Sequence, residues 1–260
     1  MISSIGTYDG VERFESHLTT PEPLDLERHF RNAVESNIDF VTMEVSSQAL
    51  KYDRVLGVNF SVAAFLNIGY DHISSVEHPT WEDYFASKLR IFEQCTYGLV
   101  NLDSEHCEEI LEAAKASKKV ITFSETNEDA DFYGYNVHKV GNDIVFNVRG
   151  SDFDEEFKLS MPGLFNVSNA LCAIAIARLY DIPVSDIQEG LYQAKVPGRM
   201  EIYTSNDQKI TAIVDYAHNR LSFQKLFESV RNEYPGYRAT IIFGCPGKKA
   251  QDRRHDLGEI

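Results

Sequence analysis

Residues 59–67 (NFSVAAFLN), 97–102 (YGLVNL) and 119–123 (KVITF) decide the fold. Each is a short apolar run bounded by polar residues, the pattern of a strand covered on both faces. Between the first two, Trp81, Tyr84, Phe85, Lys88, Leu89 and Phe92 recur at helical spacing, so a helix is expected over Trp81–Cys95. Another is expected through Glu105–Ala116, between the second and third. Strands alternating with helices predict an α/β fold whose mostly parallel central sheet is flanked by helices.

Downstream the period changes. Asn136–Val140, Ile144–Val148 and Glu156–Met161 alternate, with Gly141-Asn142 and Gly150 as turn signals, which predicts an antiparallel edge over Asp131–Met161. Asn166–Tyr180 and Val184–Gln193 read as helices, the second ending near Val196-Pro197-Gly198. Upstream, Ile2–Ile5 reads as a strand end and Asp9-Gly10 as a turn. Pro23–Glu35 suits a helix with Leu24, Leu26, Phe30 and Val34 as its apolar positions, and Asp39–Met43 a buried strand. A second unit is expected to begin after Pro197, dividing the chain into 1–197 and 198–260. In it Glu201–Thr204, Ile210–Val214 and Ala239–Phe243 are strand candidates and Leu221–Asn232 an amphipathic helix. About 60 residues is short of the ~100–150 typical of an α/β domain, so the second unit reads as part of one.

Of the 260 residues 43% are hydrophobic, enough for a substantial core. A formal charge of -15 argues against general nucleic-acid binding, which needs a concentrated basic surface, but leaves room for a local nucleotide pocket. Cys95, Cys107, Cys172 and Cys245 show no CxxC spacing and read as thiols in a reducing compartment. No apolar run approaches the roughly 18 residues that cross a bilayer. With no signal peptide at the start, a cytoplasmic protein with no membrane partner is expected.

Several clusters carry groups suited to chemistry. Thr19-Thr20-Pro21-Glu22 precedes a helix, where hydroxyls and amides either cradle an anion or simply cap the helix. Glu44 in MEVSSQAL (43–50) stands after a predicted parallel strand, where open α/β sheets bind ligands; it either ligates Mg²⁺ or caps the next loop. Asp71-His72 follows the strand at 59–67, as a metal or phosphate site or as a hydrogen-bonded turn. Lys88 shares a face with Trp81, Tyr84, Phe85 and Phe92, so its amine either snorkels to solvent or is desolvated and reactive. Asn166 and Asn169 open a helix; Arg199 either grips phosphate or pairs with an acid. Asp215 follows a strand of the second unit.

Taken in order, IGTYDG, TTPEPLDL, MEVSSQAL with Arg54, NIGYDHIS, WEDYFASK, GLFNVSNAL, VPGRME, DYAH and FGCPG resemble the Mur ligase family, from Ile5 almost to the end of the chain. The resemblance implies a central ligase domain followed by the first part of a Rossmann-like C-terminal domain. It implies ATP-dependent joining of diaminopimelate or lysine to a UDP-N-acetylmuramoyl dipeptide, through an acyl-phosphate, in peptidoglycan synthesis. By that resemblance Thr19, Thr20, Ser46 and Arg54 hold the UDP-sugar, while Glu44 and His72 are Mg²⁺-associated. Lys88 is the lysine that becomes carbamylated and helps place Mg²⁺. Asn166, Asn169, Arg199 and Asp215 contact ATP, and the full-length enzyme is a monomer. Catalysis would then rest on positioning and on neutralising anions.

The departures are specific. The chain contains no G-x-x-x-x-G-K-[ST], so the loop that cradles ATP phosphates is expected upstream, with a substrate domain before it. The Asp-Asn-Pro-Arg or Asp-Asp-Pro-Arg segment that helps select the amino acid is expected downstream. Gln48, Tyr52 and Asn219-Arg220 stand where the family commonly has histidine, sometimes glutamine, and Thr-Pro. The chain alone is therefore expected to lack ligation. The alternatives are a non-catalytic UDP-sugar-binding remnant and a folylpolyglutamate- or cyanophycin-type ligase.

Overall fold

The computed structural model describes residues 1–141, 143–245 and 253–260, apart from the side chains of Arg253 and Asp256. In chain order the elements begin with a small hairpin, β1 (Thr7–Tyr8) and β2 (Arg13–Phe14), then helices α1 (Pro23–Glu35) and α2 (Ser47–Lys51). Next come β3 (Phe60–Phe65), α3 (Trp81–Leu89) running into a 3-10 turn at Arg90–Gln94, β4 (Cys95–Asn101), α4 (Cys107–Ala114) and β5 (Lys119–Ser124). Strands β6 (Phe132–Val140), β7 (Asp143–Arg149) and β8 (Asp154–Leu159) precede α5 (Asn166–Leu179) and α6 (Val184–Gln193). The second unit contributes β9 (Glu201–Thr204), β10 (Thr211–Val214), α7 (Arg220–Glu233) and α8 (Arg253–Glu259).

The predicted sheet is present: six strands in the order β3-β4-β5-β6-β7-β8, parallel from β3 to β6 and antiparallel from β6 to β8. Alternation along β4 and β5 builds two cores, one per face. Leu99, Ile121 and Phe123 join Phe146, Phe157, Leu171 and Ile174 beneath α5 and α6. Val100 joins Phe65, Phe92, Ile110 and Ala114 on the other face. Helix α5 comes close enough to β6 that a Cβ on Gly134 would stand 2.8 Å from Leu171 Cδ1, so this position takes no side chain without repacking.

The passage from parallel to antiparallel pairing turns on one short connection. Strands β5 and β6 share only two residue pairs, Phe123 with Phe132 and Ser124 with Tyr133, so β6 starts where β5 ends and overhangs it. Asp131 pins this loop by accepting from the Thr122 amide (2.8 Å) and hydroxyl (2.9 Å). The β6–β7 hairpin continues past β5, paired with β8 on its other side; of its expected Gly141-Asn142 turn, Gly141 is left-handed (φ 64°) and Asn142 lies outside the described residues.

Three expectations are corrected. Asp39–Met43 is not a buried strand: residues 39–42 are exposed and Met43 makes a single parallel bridge, to Ile2. It stands off from the β3 edge across a cavity of about 260 Å³ lined by Met43, Val45, Phe60, Phe65 and Lys88, and apart from the bridge to Ile2 its apolar run joins no described ladder. Ala239–Phe243 likewise forms no strand, and Ile242 is 96% exposed, because no described strand lies alongside it. Pro246 and Gly247 of the expected FGCPG motif lie outside the described residues. Finally, α1 buries Leu26, His29 and Ala33, whereas Leu24 and Val34 face solvent. A histidine takes the core position because a carboxylate meets it there.

That carboxylate is Asp9, fully buried at the hairpin turn where Gly10 is left-handed (φ 96°). Asp9 accepts from His29 Nδ1 (2.6 Å), Asn32 Nδ2 (2.9 Å) and the amides of Val11 and Glu12 (3.0 and 2.8 Å). Burial alone would push this carboxyl up; the four hydrogen bonds outweigh it and hold Asp9 well below the usual carboxylate range. Asp9, Glu12 and His29 are close enough to suggest a metal cluster. However, Asp9 spends its lone pairs on these bonds and Glu12 pairs with Arg28, so the group is a structural pin joining the hairpin to α1.

Candidate functional site

The carboxyl ends of the parallel strands deliver the polar groups. The chain leaves β3 through Leu66–His72, β4 through Leu102 and Asp103, and β5 through Glu125. Asn101 ties two of these exits to α5, donating to the Leu66 carbonyl (2.9 Å) and to Ser168 Oγ (3.1 Å). Asp103 accepts from Ser124 Oγ and the Glu125 amide, both at 2.6 Å. Open α/β sheets bind their ligands at this edge.

Thr20, Glu44 and Ser46 are brought together. The buried Thr20 hydroxyl donates to the Glu44 carbonyl (2.9 Å) and accepts from the Ser46 amide (2.9 Å). Ser46 caps α2 by accepting from the Ala49 amide (3.1 Å), a role that uses a lone pair and not its O–H. Glu44 Oε2 accepts from the Ser4 amide (2.7 Å) and hydroxyl (2.8 Å), which fixes an exposed carboxylate in place. Arg54 reaches Glu22 at 3.1 Å, and Thr19 is half-buried next to Thr20.

Lys88 and His72 gather around Tyr84. The Lys88 ammonium lies 5.5 Å from the ring centres of both Phe65 and Tyr84, and the His72 ring 5.3 Å from that of Tyr84. Desolvation in this aromatic setting lowers the Lys88 pKa, partly opposed by the charge of Asp71. The residue as a whole keeps some exposure, so the amine lies between the two rings at the margin of the core. His72, itself left-handed (φ 60°), is held by Glu77 at Nδ1 (3.0 Å), and its amide donates to Asp71 Oδ1 (2.7 Å).

Asn166 and Asn169 occupy the first turn of α5 and bond each other, Nδ2 of Asn169 to Oδ1 of Asn166 at 3.1 Å. Asn166 also donates to the Pro162 carbonyl (2.7 Å), so it serves the helix entry. Asp215 accepts from the Met200 and Ala217 amides (2.9 and 2.7 Å), and the Arg199 guanidinium lies 4.9 Å from the Tyr216 ring centre, so these residues form one knot at the start of the second unit.

Glu125 has no counterpart among the expected residues. Burial, reinforced by Asp103 and partly offset by Lys225, pushes it up to about 7 from an ordinary 4.5. The folded state thus retains a proton that the unfolded state has lost, and stability declines as pH rises from 4.5 through about 7. Glu125→Gln is expected to stabilise the fold at pH 8 by about 1–2 kcal/mol, after allowing for solvent screening, and to leave it unchanged near pH 4.5. Urea melts at the two pH values measure this; equal effects at both would show that burial of Glu125 carries no proton linkage.

A second unexpected group runs through the buried His78. Its Nε2 meets Ser47 Oγ at 2.9 Å, its Nδ1 meets Asp83 Oδ2 at 2.6 Å, and Lys51 Nζ donates to the same oxygen at 2.6 Å. The order Ser-His-Asp is that of a hydrolytic triad, but Ser47 is only 5% exposed, which denies a substrate its approach. The chain of bonds instead clamps α2 and α3 together. His78→Ala is expected to cost about 2–3 kcal/mol by leaving a cavity and a buried Ser47 hydroxyl without its partner, while Asp83 keeps Lys51; the loss is read as a lower urea midpoint at constant slope.

All four cysteines are free, as expected, and burial pushes Cys172 up to about 12. Among the described residues no helix is long and apolar enough to cross a membrane.

The Mur ligase middle domain matches residues 1–177, and the Mur ligase glutamate ligase domain matches residues 198–260. A UDP-N-acetylmuramoyl-L-alanyl-D-glutamate--L-lysine ligase of Streptococcus agalactiae is 40% identical over 100% of this chain and 52% of its own length. A UDP-N-acetylmuramoyl-L-alanyl-D-glutamate--2,6-diaminopimelate ligase of Clostridium botulinum is 34% identical over 100% of this chain and 53% of its own length. The solved structure of a 2,6-diaminopimelate ligase of the same type superposes with a TM-score of 0.71 at 21% identity, covering 98% of this chain and 53% of that one. The chain thus spans about half the length of the relatives it matches.

Proposed function

The chain belongs to the Mur ligase family, and on that premise we propose that it is the middle and part of the C-terminal portion of an ATP-dependent ligase. The ligase joins lysine or diaminopimelate to UDP-N-acetylmuramoyl-L-alanyl-D-glutamate in peptidoglycan synthesis. The observation that carries this reading is the edge of the sheet itself, where a desolvated amine, Lys88, lines a cavity along β3 whose far wall is Met43 and Val45, the two neighbours of the fixed carboxylate Glu44. The domains of the proposal are residues 1–197 and 198–260, its setting the cytoplasm, and the full-length enzyme a monomer.

In the proposed reaction a substrate carboxylate attacks the γ-phosphorus of ATP, ADP leaves, and the resulting acyl-phosphate is attacked by the incoming amine with loss of phosphate. Mg²⁺ would supply charge neutralisation between the two anions. It keeps water and phosphate oxygens around one or two protein carboxylates, and the chain offers donors of that kind. Glu44 presents a fixed carboxylate and His72 an oriented imidazole. Lys88, once its neutral amine has taken up carbon dioxide and released a proton, would present a second carboxylate. Thr19, Thr20, Ser46 and Arg54 would hold the UDP-sugar, whose diphosphate suits the Arg54 fork. Asn166, Asn169, Arg199 and Asp215 would hold the nucleotide, and Lys88, His72 and Glu44 form the catalytic group.

The test is binding and turnover together. By calorimetry the chain is expected to bind UDP-N-acetylmuramoyl dipeptide in preference to folate. A protein that carries the chain together with a phosphate-binding loop is expected to release one phosphate per new amide bond with lysine or diaminopimelate. Preference for folate, or phosphate release with neither amine, would sink the proposal.

A further inference from the structure

The second unit meets the sheet edge along one side of α7, and the contacts are polar at nearly every turn. Asn219, the N-cap, donates from Nδ2 to Asp71 Oδ2 at 3.0 Å. Leu221 approaches Gly69, 3.5 Å from where a Cβ would stand. One turn on, the charge of Lys225 acts on the half-buried Glu125. At the far end Glu233, its side chain 2% exposed, pairs with Lys139 of the overhanging β6 at 2.7 Å.

Only the first of these contacts reaches the Lys88 cluster. Asp71 is 6% exposed; its Oδ1 holds the His72 amide, its charge acts on Lys88, and its Oδ2 takes Asn219 from 148 positions away. Asn219 in turn spends its Oδ1 on the Ser222 amide (2.9 Å), which leaves its side-chain NH2 to reach that carboxylate from the start of α7. We infer that Asp71 and Asn219 are a positioning pair, a clasp that seats the second unit against the Lys88–His72 edge of the first. Polar interfaces between units of one chain ordinarily permit relative motion, so a directional, part-buried bond at the site end favours one seating of the second unit there. The inference rests on the contact geometry and not on the ligase reading.

Asn219→Asp tests it, because aspartate caps a helix as well as asparagine but sets a carboxylate against Asp71. Hydrogen exchange on the whole chain is expected to quicken on the order of tenfold in residues 66–72 and 216–226, with α5 unchanged as the marker of global folding. The exchanged pair Asp71→Asn/Asn219→Asp restores opposite roles across the same gap and is expected to return both segments to the parent rate. A parent-like rate in Asn219→Asp, or a double variant as loose as the single one, would overturn the clasp. Should Asn219→Asp also loosen α5, Asn219→Ser decides: it keeps the cap without the amide donor, and unchanged exchange in 66–72 then refutes the pair.

Discussion

Lys88→Met, in a protein that carries this chain with a phosphate-binding loop, is expected to lower ligation turnover by about a thousandfold while leaving stability equal or higher. The two halves of that result have one cause. The Lys88 amine sits between Phe65 and Tyr84, where desolvation lowers its pKa and only the Asp71 charge opposes it. Methionine matches the length of the stem and removes the desolvated cation, a gain that offsets the lost cation–ring contacts and the lost charge opposite Asp71. The reaction loses the group proposed to place Mg²⁺. A lowered pKa also supplies neutral amine, the form that attacks carbon dioxide to give a carbamate and a proton. Native mass spectrometry at alkaline pH is expected to find one carbon dioxide on the parent protein and none on Lys88→Met. Lys88→Arg is expected to resemble Lys88→Met in activity, because guanidinium keeps a charge and forms no carbamate. Full turnover in either variant would remove Lys88 from the mechanism.

What was legible in the sequence follows the range of the forces involved. Strands β3, β4 and β5 and helices α3 to α6 were readable because burial on two faces leaves an apolar run, and burial on one leaves a period. Asp39–Met43 and Ala239–Phe243 carry the same composition yet form no strand, since a strand also needs a neighbour that no local pattern reports. Helix α2 is too short, at five residues, to show a period; its local signal is Ser46, three residues before Ala49. The candidate site was legible residue by residue through its resemblance, but its wiring was not. The bonds of His78 to Ser47 and Asp83, of Asp9 to His29, and of Asn219 to Asp71 join positions that only the finished fold makes adjacent.

Phe123→Ala is expected to cost about 3–5 kcal/mol, seen as a lower urea midpoint and a correspondingly lower Tm. Phe123 is fully buried on β5, at the center of the sheet, paired with Asn101 of β4 and Phe132 of β6. Removing its ring takes the transfer energy of the side chain and leaves a cavity under α5. The loss should not stop at stability. Asn101 and Ser124, at this same register, carry the bonds that orient Leu66, Ser168 and Asp103. A shift of β5 toward the cavity moves that whole edge. Phe123→Leu separates the two effects: it keeps most of the volume and is expected to cost less than half as much. Faster hydrogen exchange at residues 101–103 in Phe123→Ala, and not in Phe123→Leu, would tie the core to the edge. Equal exchange in both would confine Phe123 to packing alone.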